Sequence, residues 1–209
     1  MKPRTADAIE RRDKPGYALL AERAFDAAYL ATVISAGVLL FISGSAERRL
    51  WGIGAFILAA GDAFHLIPRM LNGSVRAKGL GKAVVSVTMT LFYAWLWYLL
   101  KRGGFFDAAA AVLAAARITL CASKRNEWTS PNPPRIWGII RNIPLAALGG
   151  LTAWGYAANG MPDICSMILI GFAFYVPVVL WAYKTPKLGM LMIPKSVMYA
   201  AIVLSGFKF

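Results

Sequence analysis

The 209-residue sequence has few of the side chains on which most enzymes depend. It contains one histidine, two cysteines and 10 acidic residues. These are too few ligands for a transition-metal site, and we predict neither a metal nor another cofactor. The sequence also lacks a G-x-S-x-G element, and the GLGK at 79–82 is too short for a phosphate-binding loop. These absences argue against metalloenzymes, serine hydrolases of that type and nucleotide-binding enzymes.

Apolar residues are abundant instead. The chain is 58% hydrophobic and 16% charged, with a mean hydropathy of +0.56. A helix needs roughly 20 apolar residues to cross a bilayer. We therefore predict an all-α polytopic membrane protein: a bundle of seven transmembrane helices in one domain, 26–209, after a basic N-terminal arm, 1–25. The predicted spans are 26–45, 50–70, 82–100, 105–122, 136–158, 163–183 and 186–207.

The basic residues predict an orientation for this bundle. The formal net charge is +13, from 23 basic and 10 acidic residues. In the seven-span arrangement, 15 basic residues fall on the side of the N-terminus and 5 on the other. Positive residues accumulate on the cytoplasmic side, so we expect the N-terminus inside and the C-terminus outside. We expect a bacterial inner membrane as the location. The arm is expected to bind an anionic membrane surface, and scattered basic loops do not indicate a nucleic-acid partner.

Three basic residues, Arg117, Arg141 and Lys195, lie inside predicted spans, where charge is costly. Together with Arg69 they outnumber Asp62, and we predict one cationic cavity in the cytoplasmic half. An anion such as a phospholipid headgroup would relieve the unpaired charge, because a guanidinium binds phosphate or carboxylate in a bidentate manner. The alternative is that these side chains pair with Asp62, bind backbone carbonyls or reach the interface, and hold no ligand.

Polar residues follow single helical faces in the same half. Asp62, His65 and Arg69 are spaced i, i+3 and i+7. Asp62 and His65 are the residues suited to proton transfer, as acid and as water-orienting group or base. Alternatively, Asp62 only neutralises a neighbouring cation. The other polar groups expected at this level are Thr90, Tyr93, Asn142, Tyr175 and Tyr199. The two cysteines, Cys121 and Cys165, fall at opposite membrane ends, so no disulfide is predicted.

The segment GDAFHLIPR at 61–69, followed by a span with Tyr93, resembles the GD-containing region of the YhhN membrane proteins, a lysoplasmalogenase-like family. The later stretch GFAFYVPVVLWAYKTPK at 171–187 is similar to the closing helices of that family. The chain also looks like small uncharacterised bacterial seven-helix membrane proteins.

The resemblance implies a hydrolase that cleaves the vinyl-ether bond of a lysoplasmalogen. Asp62 would be the acid and His65 would orient water. The implied phosphate-binding residues are Arg117, Arg141 and Lys195, with hydrogen bonds from Thr90, Tyr93, Tyr175 and Tyr199. Two hypotheses stay open: a membrane-embedded hydrolase of a lysophospholipid-type ether lipid, or a non-catalytic carrier or binding protein for an anionic lipid or metabolite.

Overall fold

The chain folds into a bundle of helices, seen here in a computed structural model that describes residues 16–209. Within these residues there is no β-strand. Short 3-10 turns occupy Lys124–Asn126, Pro186–Leu191 and Ser205–Lys208. The α-helices are α1 (Gly16–Ile42), α2 (Ala46–Met70), α3 (Val75–Leu99), α4 (Phe105–Ala122), α5 (Arg135–Ile140), α6 (Asn142–Ala158), α7 (Pro162–Trp181) and α8 (Met192–Leu204).

Within residues 16–209, seven helical segments are long and apolar enough to cross a membrane, which confirms the predicted all-α seven-helix bundle. Five are single helices. The fifth span joins α5 and α6, and the seventh is α8 with the 3-10 turn on each side. Because the number of spans is odd, the start of α1 and the final turn lie at opposite ends of the bundle. These are called the Arg69 end and the Lys208 end below; which of them is cytoplasmic stays a prediction.

The helices form a closed ring around a common core. α2 packs against α1 and α3, α3 packs against α4, and α4 packs against α6. α6 then contacts α7, α7 contacts α8, and α8 returns to α1. In addition, α3 contacts α6 across the ring. This arrangement brings the inward faces of helices distant in sequence to one place.

The outer surface of the bundle is apolar. Leu39 of α1, Val112 of α4 and Leu169 of α7 are more than half exposed. Such a surface would be unfavourable in water, whereas hydrocarbon solvates it well. Length, composition and this apolar exterior make the chain an integral membrane protein.

The first helix begins earlier than the first predicted span. α1 starts at Gly16 and ends at Ile42, so residues 16–25 belong to this helix and not to a separate arm. The other residues of the predicted arm, 1–15, lie outside the described part of the chain. Charged residues such as Glu22 and Arg23 interrupt the apolar run of this segment, but they do not interrupt the helix.

The third helix also begins earlier than predicted, at Val75 and not near residue 82. The Ser74 hydroxyl accepts a hydrogen bond from the Ala77 amide at 3.2 Å, which caps the helix start. Gly79 and Gly81 suggested a loop, but they allow close packing. A Cβ at Gly79 would collide with the Trp128 carbonyl, and one at Gly81 with the Phe64 carbonyl.

We expect Gly81→Ala to destabilise the bundle and Gly150→Ala to leave it unchanged or more stable. The new methyl at 81 would collide with the Phe64 backbone, which cannot rotate away, and overpacking of this kind costs about 1–3 kcal/mol. A Cβ at Gly150 would meet nothing within 4 Å, and alanine is the better helix former. Thermal denaturation in detergent tests this pair, and equal melting temperatures would contradict the packing role of Gly81.

The fifth span is broken near its Arg69 end, between α5 and α6 at Arg141. Pro144 lies in the first turn of α6, where a residue without an N–H is tolerated. In the seventh span, Pro194 is likewise in the first turn of α8. Both cysteines are free, as predicted, with Cys121 buried and Cys165 half-buried.

Candidate functional site

Arg117, on α4, lies at the centre of a buried polar network and is 1% exposed. Its Nη1 donates to the Arg141 carbonyl at 2.5 Å and to Asn142 Oδ1 at 2.7 Å. Its Nε donates to the Ser86 carbonyl at 3.4 Å. Among residues 16–209, no carboxylate pairs with this guanidinium. The dipoles of two backbone carbonyls and one side-chain amide therefore solvate the positive charge of Arg117 without neutralising it.

Arg141 lies at the break between α5 and α6 and is half-buried. Its guanidinium packs over the Trp128 ring, 4.2 Å from the centroid, and its Nη1 donates to Asn126 Oδ1 at 3.0 Å. Asn126 is itself fixed, because its Nδ2 donates to the Leu120 carbonyl at 2.6 Å and to the Ser123 carbonyl at 2.9 Å. The loop after α4 therefore holds Arg141 while leaving several of its N–H donors unused.

Asn142 connects the two arginines to α7. Its Oδ1 accepts from Arg117 and also from the Tyr175 hydroxyl at 2.9 Å. Its Nδ2 donates to the Gly138 carbonyl at 2.8 Å, which fixes the amide orientation. Tyr175 is thus held in place by the same residue that binds Arg117.

Lys195, on α8, lies on the other side of Tyr175 and is 7% exposed. Its Nζ is 4.9 Å from the centroid of the Tyr175 ring and 4.6 Å from that of Tyr199, both in the range of cation–π contacts. Tyr93 packs edge-on against Tyr199, with 6.4 Å between ring centroids. Within the described residues, the ammonium makes no hydrogen bond or ion pair, so its three N–H donors are available.

Asp62, the carboxylate of this region, is 8% exposed and accepts a hydrogen bond from the Tyr29 hydroxyl at 2.5 Å. It interacts electrostatically with Lys195 without forming an ion pair. Three cations, Arg117, Arg141 and Lys195, therefore share one region with one carboxylate.

The remaining predicted site residues differ in position. Thr90 is fully buried and donates to the Ser86 carbonyl at 2.9 Å, the same carbonyl that Arg117 contacts. Arg69 instead forms an ion pair with Glu22 of α1, at the end of the bundle. His65 lies between Asp62 and Arg69 on α2.

The donors of Arg117 bind two backbone carbonyls and an amide oxygen directly. This contact pattern is the one described by the alternative considered from the sequence, in which the buried cations bind backbone carbonyls. A small cavity does occur at the Arg69 end, lined by Leu19, Glu22, Arg23, Asp26, Arg69 and Met70.

Several residues of the network were not predicted. Tyr29 follows Glu22 by seven positions and Asp26 by three, so all three share one face of α1. This spacing could have predicted a polar face on the first helix. Asn126 and Trp128 lie in the polar loop between the fourth and fifth spans, and nothing in the sequence distinguishes them from ordinary loop residues.

Fold and network together define an integral membrane protein of seven helices with a cationic polar interior. Compared with known proteins, the chain matches no family model, no curated protein and no solved structure. The network is therefore the main evidence for function.

Proposed function

We propose that the protein binds an anionic amphiphile, a phospholipid or similar molecule, through its buried cations. One observation carries this proposal: three cations, Arg117, Arg141 and Lys195, lie in one connected region, and none of them forms an ion pair with a carboxylate of the described residues. Unbalanced charge in a low-dielectric interior is unfavourable, and a bound anion offsets it. Its acyl or alkyl chain would lie along the apolar surface of the bundle.

Arg141 and Lys195 are the residues that would contact the anion directly. Arg117 already uses its Nη1 and Nε on three acceptors. Arg141 uses one N–H on Asn126, and Lys195 packs against two aromatic faces and makes no hydrogen bond within residues 16–209. Tyr175 lies between them, with its hydroxyl on Asn142 and its ring beside Lys195. An anionic headgroup at Tyr175 would therefore find donors on both sides.

We expect Arg141→Ala to weaken binding of lysophosphatidylglycerol by about tenfold or more, the effect of losing a hydrogen bond to a charged group. Binding is measured with the purified protein in mild detergent. Arg102→Ala is the matched control, because Arg102 also packs over a tryptophan, Trp154, at 4.8 Å, but at the Lys208 end. Equal affinities of wild type and Arg141→Ala would contradict the proposed site.

A second candidate, hydrolysis of a lysophospholipid-type ether lipid, is favoured by the Asp62–Tyr29 pair and by the resemblance to the YhhN family. In vinyl-ether hydrolysis, Asp62 would give its proton to the enol-ether carbon. Water, oriented by His65, would add to the resulting oxocarbenium carbon and return a proton to the Asp62 carboxylate. The hemiacetal would then collapse to an aldehyde and a glycerophospho-headgroup with a free hydroxyl. Replacement of Asp62 distinguishes the two functions, because a hydrolase would lose aldehyde release and keep lipid binding, whereas a carrier has no aldehyde release to lose.

We place the protein in a bacterial inner membrane, with the Arg69 end in the cytoplasm. This orientation rests on the excess of basic residues on that side. The bound headgroup would then come from the cytoplasmic leaflet.

A further inference from the structure

The interface between α1 and α2 carries two polar pairs that belong to one register. Glu22 forms an ion pair with Arg69 at the end of the bundle. Tyr29 donates to Asp62 at 2.5 Å deeper inside. The helices are antiparallel, and the pairs are seven residues apart on each helix, which corresponds to about two turns.

This register places Asp26 at the level of His65. Asp26 is three residues before Tyr29, and His65 is three residues after Asp62. Asp26 is 6% exposed although it carries a carboxylate in an apolar helix. Buried carboxylates in membrane spans are costly and often belong to proton pathways.

The ionisable residues along the α1–α2 interface reach the protein surface at the Arg69 end of the bundle. The small cavity there is lined by Glu22, Asp26 and Arg69 together with Leu19, Arg23 and Met70. Ionisable side chains therefore continue from this cavity to Tyr29 and Asp62, and Lys195 of the anion site interacts with Asp62.

Asp62 is surrounded by groups from each helix packed on α2. Those of α1 are Tyr29, with Asp26 and Glu22 further out. α8 contributes Lys195 and Tyr199, which both interact electrostatically with Asp62. α3 presents the uncharged Thr88 beside Gly61, Tyr93 beside Tyr199, and Lys78 and Lys82 nearer the Arg69 end. The last turn carries Lys208, which pairs with Asp163 at the far end.

We propose that anion binding beside Lys195 is coupled to uptake of a proton by Asp62, and that the proton travels from the Arg69 end along Asp26, His65 and Tyr29. This inference rests on the proposed function, because it names what accompanies the bound anion. Asp62 and an incoming anion compete for the same ammonium. A second negative charge nearby favours the protonated carboxyl, and protonation leaves Lys195 to the ligand.

The transfer conserves protons at each step. The hydroxyl proton of Tyr29 passes to Asp62 along the existing hydrogen bond, and the Tyr29 oxygen takes a proton from Asp26 or His65. That group is then reprotonated from water in the cavity at the Arg69 end. The net change is one anion and one proton taken up together.

The test measures proton uptake during binding of lysophosphatidylglycerol, whose phosphodiester does not titrate near neutral pH. Calorimetry of the full chain in detergent, in two buffers of different ionisation enthalpy, counts the protons. We expect about one proton per lipid and an affinity that falls by up to about tenfold per pH unit as pH rises. Asp62→Asn should bind without proton uptake and with an affinity independent of pH.

The route is tested separately by kinetics. Asp26→Asn should leave the proton count unchanged but slow the uptake seen with a pH-indicator dye after rapid mixing. Asp163→Asn is the control, because its carboxylate is exposed at the Lys208 end, and it should behave as wild type. Because either Asp26 or His65 can supply the proton to Tyr29, the double variant Asp26→Asn, His65→Gln is measured in the same way, and unchanged kinetics in this double variant would overturn the route.

The failures of the two proposals are distinguishable. Wild type that binds the lipid without proton uptake, at constant affinity between about pH 6 and 8, overturns the coupling and leaves the anion site standing. Wild type that binds no lipid overturns the proposed function itself. If Asp62→Asn does not fold, the proton count of wild type still decides the coupling.

Discussion

Arg117→Met should lower the stability of the bundle by about 3 kcal/mol or more, the largest effect expected of any single substitution in the network. Methionine fills a similar volume without donors. The Arg141 carbonyl and Asn142 Oδ1 would each lose a charged donor that now lies at 2.5 and 2.7 Å. No water can replace it without a new cavity, because Arg117 is 1% exposed.

Arg117→Lys should fall between wild type and Arg117→Met. An ammonium keeps the charge but cannot reproduce the planar arrangement of guanidinium donors that contacts Ser86, Arg141 and Asn142 together. Arg125→Met is the control, because Arg125 is exposed on the loop after α4 and only packs over Trp137, at 5.4 Å. Melting temperatures in detergent rank the variants, and an Arg117→Met protein that melts with wild type would contradict this role.

Asp62→Asn should reduce release of aldehyde from a lysoplasmalogen by at least about a hundredfold if the protein is the proposed hydrolase, which is the usual effect of losing a general acid. Asparagine can still accept the hydrogen bond from Tyr29, so the local structure should persist. Lipid binding should be retained, since Arg141 and Lys195 are untouched. Aldehyde release by the purified protein and lipid binding are measured on the same preparations.

Asp163→Asn serves again as the matched control and should leave both measurements unchanged. Aldehyde release by Asp62→Asn at the wild-type rate would exclude Asp62 as the acid. A wild-type protein that binds the lipid but releases no aldehyde would favour the non-catalytic carrier.

The spans were predictable because a bilayer imposes a minimum length of apolar helix, and all seven were found. Their boundaries were less so. The start of α3 was predicted too late in the sequence because a glycine can either interrupt a helix or let two backbones pack closely. The sequence alone does not show that Gly79 and Gly81 have the second role. Only the positions of Trp128 and Phe64 decide between these roles, and both are set by tertiary packing.

The cations of the network were predictable because charge is rare in apolar spans, so Arg117, Arg141 and Lys195 are conspicuous in the sequence. Their partners were not. Arg117 binds the backbone carbonyls of Ser86 and Arg141, and because every residue has a carbonyl, no residue type in the sequence marks these partners. The hydrogen bond from Tyr29 to Asp62 could not be predicted either, because it depends on the register of α1 against α2.

The closed ring, in which α8 returns to α1, sets an order for assembly in the membrane. The first two spans can insert as a hairpin that already pairs Glu22 with Arg69 and Tyr29 with Asp62. Lys195 comes only with α8, the last span of the described residues. In the hairpin alone, Asp62 lacks the ammonium with which it interacts in the full bundle, so α8 brings a positive charge to the interior that α1 and α2 begin to build.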